Sequence, residues 1–322
     1  MKLRHLVGSI LAGAAVFAGA PASAQYPERP ITFVVGFSPG GTADGTARTL
    51  ADLMSKDLGQ PVVVENRAGA NGNIATTYVS RAAPDGYVVF ITSIGHTVNP
   101  WLHKSVSYDP VKDFTPIGRI LTAPNLMVVP KSSPFNNIQE LIAYAKDNPG
   151  KLNLASSGTG TSVHLSGELF QKLAGVKFTH IPYKGTGSAM PDLLSGTTQV
   201  MFPNLPSALP QVRGGNLKAL GVTTDKRFEG APDIPTVAEG GVPGYDLSTW
   251  YGMIGPAGMD PQVVDRLNVS LQKALNDPAV RERMLQQGSQ AAPSTPAEFG
   301  VFLVNESNKW SQLIKDANIQ LD

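Results

Sequence analysis

Strand, glycine turn, helix, strand, glycine loop, helix, strand: the chain runs through this order twice, and the repeat constrains its fold more than any other feature. The first pass begins with the β-branched and aromatic run Ile31 to Val35. The turn Gly36-Phe37-Ser38-Pro39-Gly40-Gly41 follows, and Ala43, Ala47, Leu50, Met54 and Leu58 then recur at helical spacing until Gly59. Pro61 to Glu65 predicts a second strand, Asn73 to Ala82 a helix, and Tyr87 to Thr92 a third strand after the Pro84-Asp85-Gly86 turn. The second pass opens at Leu152 to Ala155, turns through the glycine-rich Ser156 to Thr161, and enters a helix marked by Val163, Leu165, Leu169, Phe170 and Leu173 that ends at Gly175. A strand at Lys177 to Ile181, the loop Tyr183-Lys184-Gly185, a helix through Met190 to Leu194 and a strand at Gln199 to Phe202 complete it. Strands separated by helices imply parallel α/β sheets. With 322 residues, 42% of them hydrophobic, the chain exceeds the size at which one core divides. Two similar lobes are expected, each a mostly parallel sheet flanked by helices.

Two apolar extended segments are placed to carry the chain between the lobes. Pro124 to Pro130 (PNLMVVP) leads out, and Ser248 to Gly255 (STWYGMIG), with Trp250 and Tyr251 as core or hinge residues, leads back. The expected division is a first lobe of residues 25–124 plus 251–322 and a second lobe of 125–250. The returning segment reads as helical: Asp260-Pro261 and Asp277-Pro278 pair an N-cap with a proline at the first helical position, and Thr295-Pro296-Ala297-Glu298 adds a capping box.

The N-terminus fixes a destination. Lys2 and Arg4 precede an uncharged, mostly apolar run from Leu6 to Ala20, followed by Ala22-Ser23-Ala24. That is the pattern of a secretory signal peptide (residues 1–24) with cleavage near Ala24/Gln25. A membrane anchor is the weaker reading, because the run is shorter than the ~20 residues of a span. The sequence has no cysteine, which excludes disulfides, thiolate metal sites and a lipid-modified mature N-terminus. Of 26 basic and 25 acidic residues the leader takes two basic ones, leaving a formal charge of −1 and no suggestion of a nucleic-acid partner.

The first turn permits three chemistries. Gly36-Phe37-Ser38-Pro39-Gly40 spells G-x-S-x-G, a nucleophile elbow, but the residue after the serine must give an oxyanion-hole N–H and Pro39 has none. Gly40 to Gly45 has the spacing of a phosphate loop, but Thr46 and Ala47 stand where lysine and a hydroxyl residue are required. In the second turn, Gly158-Thr159-Gly160 lacks the third glycine of a dinucleotide fingerprint, since Val163 occupies that place. What remains is a glycine turn opening a helix, where backbone N–H groups and a dipole worth roughly half a positive charge hold a small anion. Two such turns at matching positions, both beyond carboxyl ends of parallel strands, predict one cleft that binds a carboxylate with no arginine.

The stretches FVVGFSPGGTADGTAR, PVVVENRAGANGNIA, PDGYVVFITS, YDPVKDFTPI and SSGTGTSVHLSGELFQKLAGVKFTHIPYKG, with the closing helices, together resemble the Bug family, the extracytoplasmic solute receptors of tripartite tricarboxylate transporters. The similarity runs the length of the mature chain. It implies a periplasmic-binding-protein fold (type II-like) that closes on a small organic acid like a flytrap. In such a fold the ligand contacts would fall on Phe37, Ser38, Pro39, Gly40, Gly41 and Asp44 in one lobe. Ser156, Ser157, Gly158, Thr159, Gly160, Thr161 and His164 would face them from the other. Asp44 is either a first-turn residue favoured by the helix dipole or the group that orders a loop N–H or a water.

Further candidates are Ser93, Gly95, His96 and Asn99 after the third strand, and Asn204 with Pro206 in the equivalent place of the second lobe. Lys184 offers a charge to a second acid group, although an exposed lysine is more often a solvated surface residue. His96, His103, His164 and His180 are scattered without metal-ligand spacing, so neither a metal nor a cofactor is expected. The expected function is a non-catalytic periplasmic receptor for a mono- or dicarboxylate, aliphatic or aromatic, that delivers it to membrane permease subunits. An exported serine hydrolase using Ser38 and a ligand-presenting sensor are the alternatives.

Overall fold

The computed structural model describes residues 26–104 and 106–316; the leader and its cleavage point lie outside them. The first pass of the repeat forms β1 (Ile31–Val35), α1 (Thr42–Leu58), β2 (Val62–Asn66), α2 (Asn73–Ser80), β3 (Val88–Ser93) and α3 (Ile94–Leu102). The chain leaves along β4 (Phe114–Pro124) and β5 (Leu126–Pro130), passes α4 (Ile138–Asp147), and enters the second pass. That pass is β6 (Asn153–Ser156), α5 (Ser162–Ala174), β7 (Thr179–Pro182), α6 (Thr186–Ser195), β8 (Val200–Met201), α7 (Leu205–Arg213) and β9 (Leu217–Val222). The return strand β10 (Ser248–Pro256) leads to α8 (Pro261–Asn276), α9 (Pro278–Gln287), β11 (Gln290–Ala291) and α10 (Pro296–Asp316).

Two sheets result, one per lobe, with strand orders β11-β4-β10-β3-β1-β2 and β7-β6-β8-β5-β9. The repeat is visible in this order. In each sheet the first strand of a pass lies between the second and third, and these three run parallel. Beside the third strand lies a strand that arrives from the other lobe: β10 against β3, and β5 against β8, both antiparallel. β4 and β9 then join those crossing strands antiparallel as well. The parallel expectation thus describes the three-strand heart of each sheet, where helical crossovers enforce it. The crossing segments enter without such a helix and run the other way.

Both sheets are buried on both faces, and the pleat sorts their side chains. Phe33 and Val35 enter one core cluster of the first lobe, while Val34 between them enters another with Phe90 and Phe299. In β5, Met127 and Val129 face one core of the second lobe and Leu126 and Val128 the other. Helix ends follow the sequence signals: Gly59 and Gly175 both take left-handed conformations (φ 73° and 64°) and donate their N–H to Ser55 and Gln171. Asp260 and Asp277 cap α8 and α9, and Thr295 exchanges hydrogen bonds with Glu298 ahead of α10. The returning segment is tied to the first lobe by Asp57, whose carboxylate meets Arg266 and Lys273 of α8, each at 2.7 Å.

Candidate functional site

The lobes meet along the carboxyl ends of their parallel strands, around a cavity lined by Phe37, Gly41, Thr42, Ala43, Ser93 and Tyr251 of one lobe. Ser157, Thr161, Ser162, Thr186 and Asn204 line it from the other. Eight of these eleven residues have a common origin. Gly41, Thr42 and Ala43 begin α1, Ser93 immediately precedes α3, Thr161 and Ser162 begin α5, Thr186 begins α6, and Asn204 immediately precedes α7. Five helix N-termini therefore converge on one space. Only α5 is capped by its own side chain, Thr161, which accepts from the His164 N–H; α1, α3, α6 and α7 have no side-chain cap.

Uncapped N-termini direct unsatisfied N–H groups and the positive ends of their dipoles into the cavity. Among the described residues, no lysine or arginine lines it. Hydroxyls of Ser93, Ser162 and Thr186 supply further donors, whereas Ser157 and Thr161 already donate theirs to Thr161 Oγ1 and the Gly158 carbonyl. Tyr251 is 5% exposed, and burial pushes its phenol pKa well above the usual range, so it stays a hydrogen-bond donor. The geometry suits a small anion.

In the first turn the expected ligand contacts divide. Phe37 and Gly41 line the cavity, whereas Ser38, Pro39 and Gly40 do not. Ser38 bridges the lobes: its N–H donates to the Lys184 carbonyl at 3.1 Å, and its Oγ accepts from the Ser188 N–H at 3.3 Å. The Gly40 N–H donates to Asp44 Oδ2 at 3.0 Å. Asp44 is 4% exposed and also takes Asn66 Nδ2 at 3.0 Å and the Arg48 guanidinium at 2.9 Å. Burial pushes its carboxyl pKa up, but hydrogen bonds from Arg48, Gly40 and Asn66 outweigh that and hold it below the ordinary range. Both oxygens of Asp44 are thus spent on ordering the turn.

The second turn divides similarly. Ser157 and Thr161 reach the cavity; Ser156, Gly158, Thr159, Gly160 and His164 do not line it. Ser156 Oγ bonds His180 Nε2 at 2.6 Å and accepts the Gly158 N–H. Gly158 and Gly160 (φ 124° and 83°) lie against Asn71 and Asn99 of the opposite lobe, so closely that a Cβ on Gly160 would stand 2.7 Å from Asn99 Oδ1. His164 Nδ1 accepts the Gly160 N–H at 3.1 Å, and its ring stacks on His180 at 4.3 Å. Burial first, then His180 and His103, lower its pKa to about 3. It is a neutral brace under the turn.

His96 lies elsewhere. Its ring packs between Tyr108 and Phe114 in the core of the first lobe, with Nε2 on the Pro110 carbonyl at 2.8 Å and its pKa lowered by burial to about 4. The position after the third strand starts α3, whose buried face takes the imidazole inward. Lys184 meets the opposite lobe through its carbonyl, and the residue is exposed outside the cavity. Asn204 is where the sequence places it, held by Tyr251 OH, Asn125 Oδ1 and Ser162 Oγ.

Thr42, Ala43, Ser162 and Thr186 were not legible as site residues from the glycine motifs. The signal was one step further along: the N–H groups without intrahelical partners belong to the first turn of a helix and not to the loop before it. A larger cavity of about 600 Å³ lies between α5, β10 and α10, lined by Trp250, Phe302 and Trp310. It presents the carboxylates of Glu168, Asp246 and Glu306 against Lys172 and Lys309, a poor setting for an anion.

Comparison with known proteins places the fold in a family. Residues 46–319 match the model of the tripartite tricarboxylate transporter family receptor. The protein BugT of Bordetella pertussis is 36% identical over 323 residues, covering 99% of this chain and 98% of that one. The periplasmic binding protein BugD is 39% identical with a TM-score of 0.88, over 92% of this chain and all of the other. A Rhodopseudomonas palustris protein solved with adipate is 36% identical, also with a TM-score of 0.88 over 92% of this chain and all of its own. The chain belongs to the tripartite tricarboxylate transporter receptor family.

Proposed function

We propose that this protein is a periplasmic receptor that captures a small organic carboxylate between its lobes and delivers it to the permease subunits of a tripartite tricarboxylate-type transporter. The observation that carries this reading is the convergence of five helix N-termini, four without a cap from their own N-cap side chain, on one cavity. One carboxylate oxygen pair would sit against the first turn of α1 and the Ser162 hydroxyl of α5, with Thr186 and Asn204 toward the rest of the molecule. The cavity is about 20 Å³, little above the ~10–15 Å³ that one water needs, so an acid enters only as the lobes part. The lobes that move are residues 25–124 plus 251–322 and residues 125–250. Ser38, locked to backbone groups of the opposite lobe, acts in closure and not as a nucleophile.

Calorimetry with succinate, malate, adipate, benzoate and their methyl esters tests the reading. At least one free acid should bind tightly without being consumed, and its ester should not. Ester turnover that disappears in Ser38→Ala would overturn it. Import of the bound acid should fall in a strain lacking the receptor; undiminished import would remove the transport role.

A further inference from the structure

Gly187 is a glycine that its own helix does not require. It is the second residue of α6, and its φ lies outside the left-handed region that favours glycine. Alanine is the better helix former there. A Cβ at Gly187 would nevertheless run into the carbonyl of Pro39, in the other lobe, with its carbon at 3.1 Å and Ser38 Oγ beyond it at 3.4 Å. The neighbouring Gly185, whose own φ of 148° also favours glycine, approaches as closely: its Cβ would stand 2.6 Å from Ser38 Oγ and 2.9 Å from the Ser38 nitrogen. The two hydrogen bonds of Ser38, to the Lys184 carbonyl and from the Ser188 N–H, close over the same few residues.

We infer that Ser38-Pro39 and the segment Lys184 to Ser188 form a clasp that joins the lobes, with Gly187 as the positioning residue that lets it shut. Thr186, which lines the cavity, lies inside the clasp, so a ligand held at the start of α6 and the clasp stabilise the same closed arrangement. Because the clasp residues other than Thr186 do not line the cavity, their effect on binding runs through closure and its reversal. This assignment rests on the carboxylate-receptor reading for its ligand readout only.

The test uses the full mature chain with Gly187→Ala, and Gly45→Ala as control, since a Cβ at Gly45 meets nothing within 4 Å. Gly187→Ala should fold with an unchanged or higher melting temperature. It should bind whichever of succinate, malate, adipate or benzoate binds the parent at least tenfold more weakly, through faster dissociation; Gly45→Ala should bind as the parent does. Affinity unchanged in Gly187→Ala would overturn the inference. A second readout needs no ligand. The chain has no cysteine, so Ser38→Cys with Ser188→Cys introduces the sole possible internal disulfide. It should cross-link under mild oxidation, and at least tenfold more slowly when Gly187→Ala is added. Absence of cross-linking, or a rate indifferent to Gly187→Ala, overturns the clasp. Failure of every acid to bind beside normal, Gly187-dependent cross-linking would sink the receptor reading and leave the clasp standing.

Discussion

Tyr251 donates its phenolic hydrogen to Asn204 Oδ1 at 2.7 Å, and the two residues come from different lobes. Tyr251 stands on the return strand, paired with both β3 and β4. Asn204 stands just before α7 and gives its amide hydrogens to Asn125 on the outgoing crossing and to Ser162 at the start of α5. One amide therefore links the anion-binding end of the second lobe to both segments that join the lobes. Tyr251→Phe keeps the ring and leaves Asn204 Oδ1 unpaired in the closed form. A buried acceptor left so costs about 1–3 kcal/mol. Acid affinity measured by calorimetry should fall at least about fivefold, while the melting temperature without ligand changes by only a few degrees.

Thr186→Asp separates fold from binding. A carboxylate in the first turn of α6 is favoured by the helix dipole, by about 0.3–1 kcal/mol at a surface site. The same charge stands in the cavity, against the ligand's own carboxylate. The variant should melt no lower than the parent and lose roughly a hundredfold or more in acid affinity. Retained binding in titration calorimetry would refute the anion assignment of this cavity.

His96 and His164 should remain neutral in the folded protein well below the ordinary histidine range. Burial is the main cause for both, and the values are about 4 and about 3. The unfolded chain takes up these protons near pH 6.5, so below that pH it binds more protons than the folded state. Stability should therefore decline as pH falls from about 6.5 toward 4. The ring-proton resonances of both histidines should hold neutral positions down to about pH 5 in NMR titrations. For His164 the decline should be reduced by His164→Gln, which keeps an acceptor for the Gly160 N–H.

Asp57 acts in the opposite sense. Hydrogen bonds from Lys273 and Arg266 lower its pKa to about 2, against an opposing push from burial. A depressed carboxyl contributes stability that is complete above the unfolded value near 4 and lost as pH falls toward 2. Asp57→Asn should be less stable than the parent at neutral pH, and the two denaturation curves should converge as the solution is brought to about pH 2. Because Asp57 lies far from the cavity lining, acid affinity at pH 7 should stay within about twofold.

Asp44→Asn removes the charge that gathers Gly40, Asn66 and Arg48. The turn bearing Gly41 should loosen, with faster amide exchange at Gly40 and acid binding weaker by about three- to tenfold. Tighter acid binding in Asp44→Asn would instead place the carboxylate in repulsive contact with the ligand.

Much of the fold was present in local chemistry. The strand–turn–helix order of both passes, the stops at Gly59 and Gly175, and the caps at Asp260, Asp277 and Thr295 depend on residues within a few positions of one another. Both crossings were legible as apolar extended runs, but their antiparallel entry into the sheets was not. Strand direction at a crossing is set by where the other lobe's edge lies. α3 and α7 were also hidden, the latter behind Pro206 and Pro210, although each starts at a residue already suspected, Ser93 and Asn204.

The site divides along the same line. The sequence by itself determined that glycine turns open helices at two matching places, that Pro39 offers no N–H after Ser38, and that Thr46 stands where a phosphate loop has lysine, because those properties belong to residue types and short spacings. Only the tertiary structure decided which donors remain free. The N–H groups of Ser38 and Gly40 are consumed by Lys184 and Asp44, the imidazole of His96 turns into the core, and the first turns of α1, α5 and α6 face the cavity instead. Whether a hydrogen-bonding group is available depends on what folds against it, and those partners lie up to about 150 residues away along the chain.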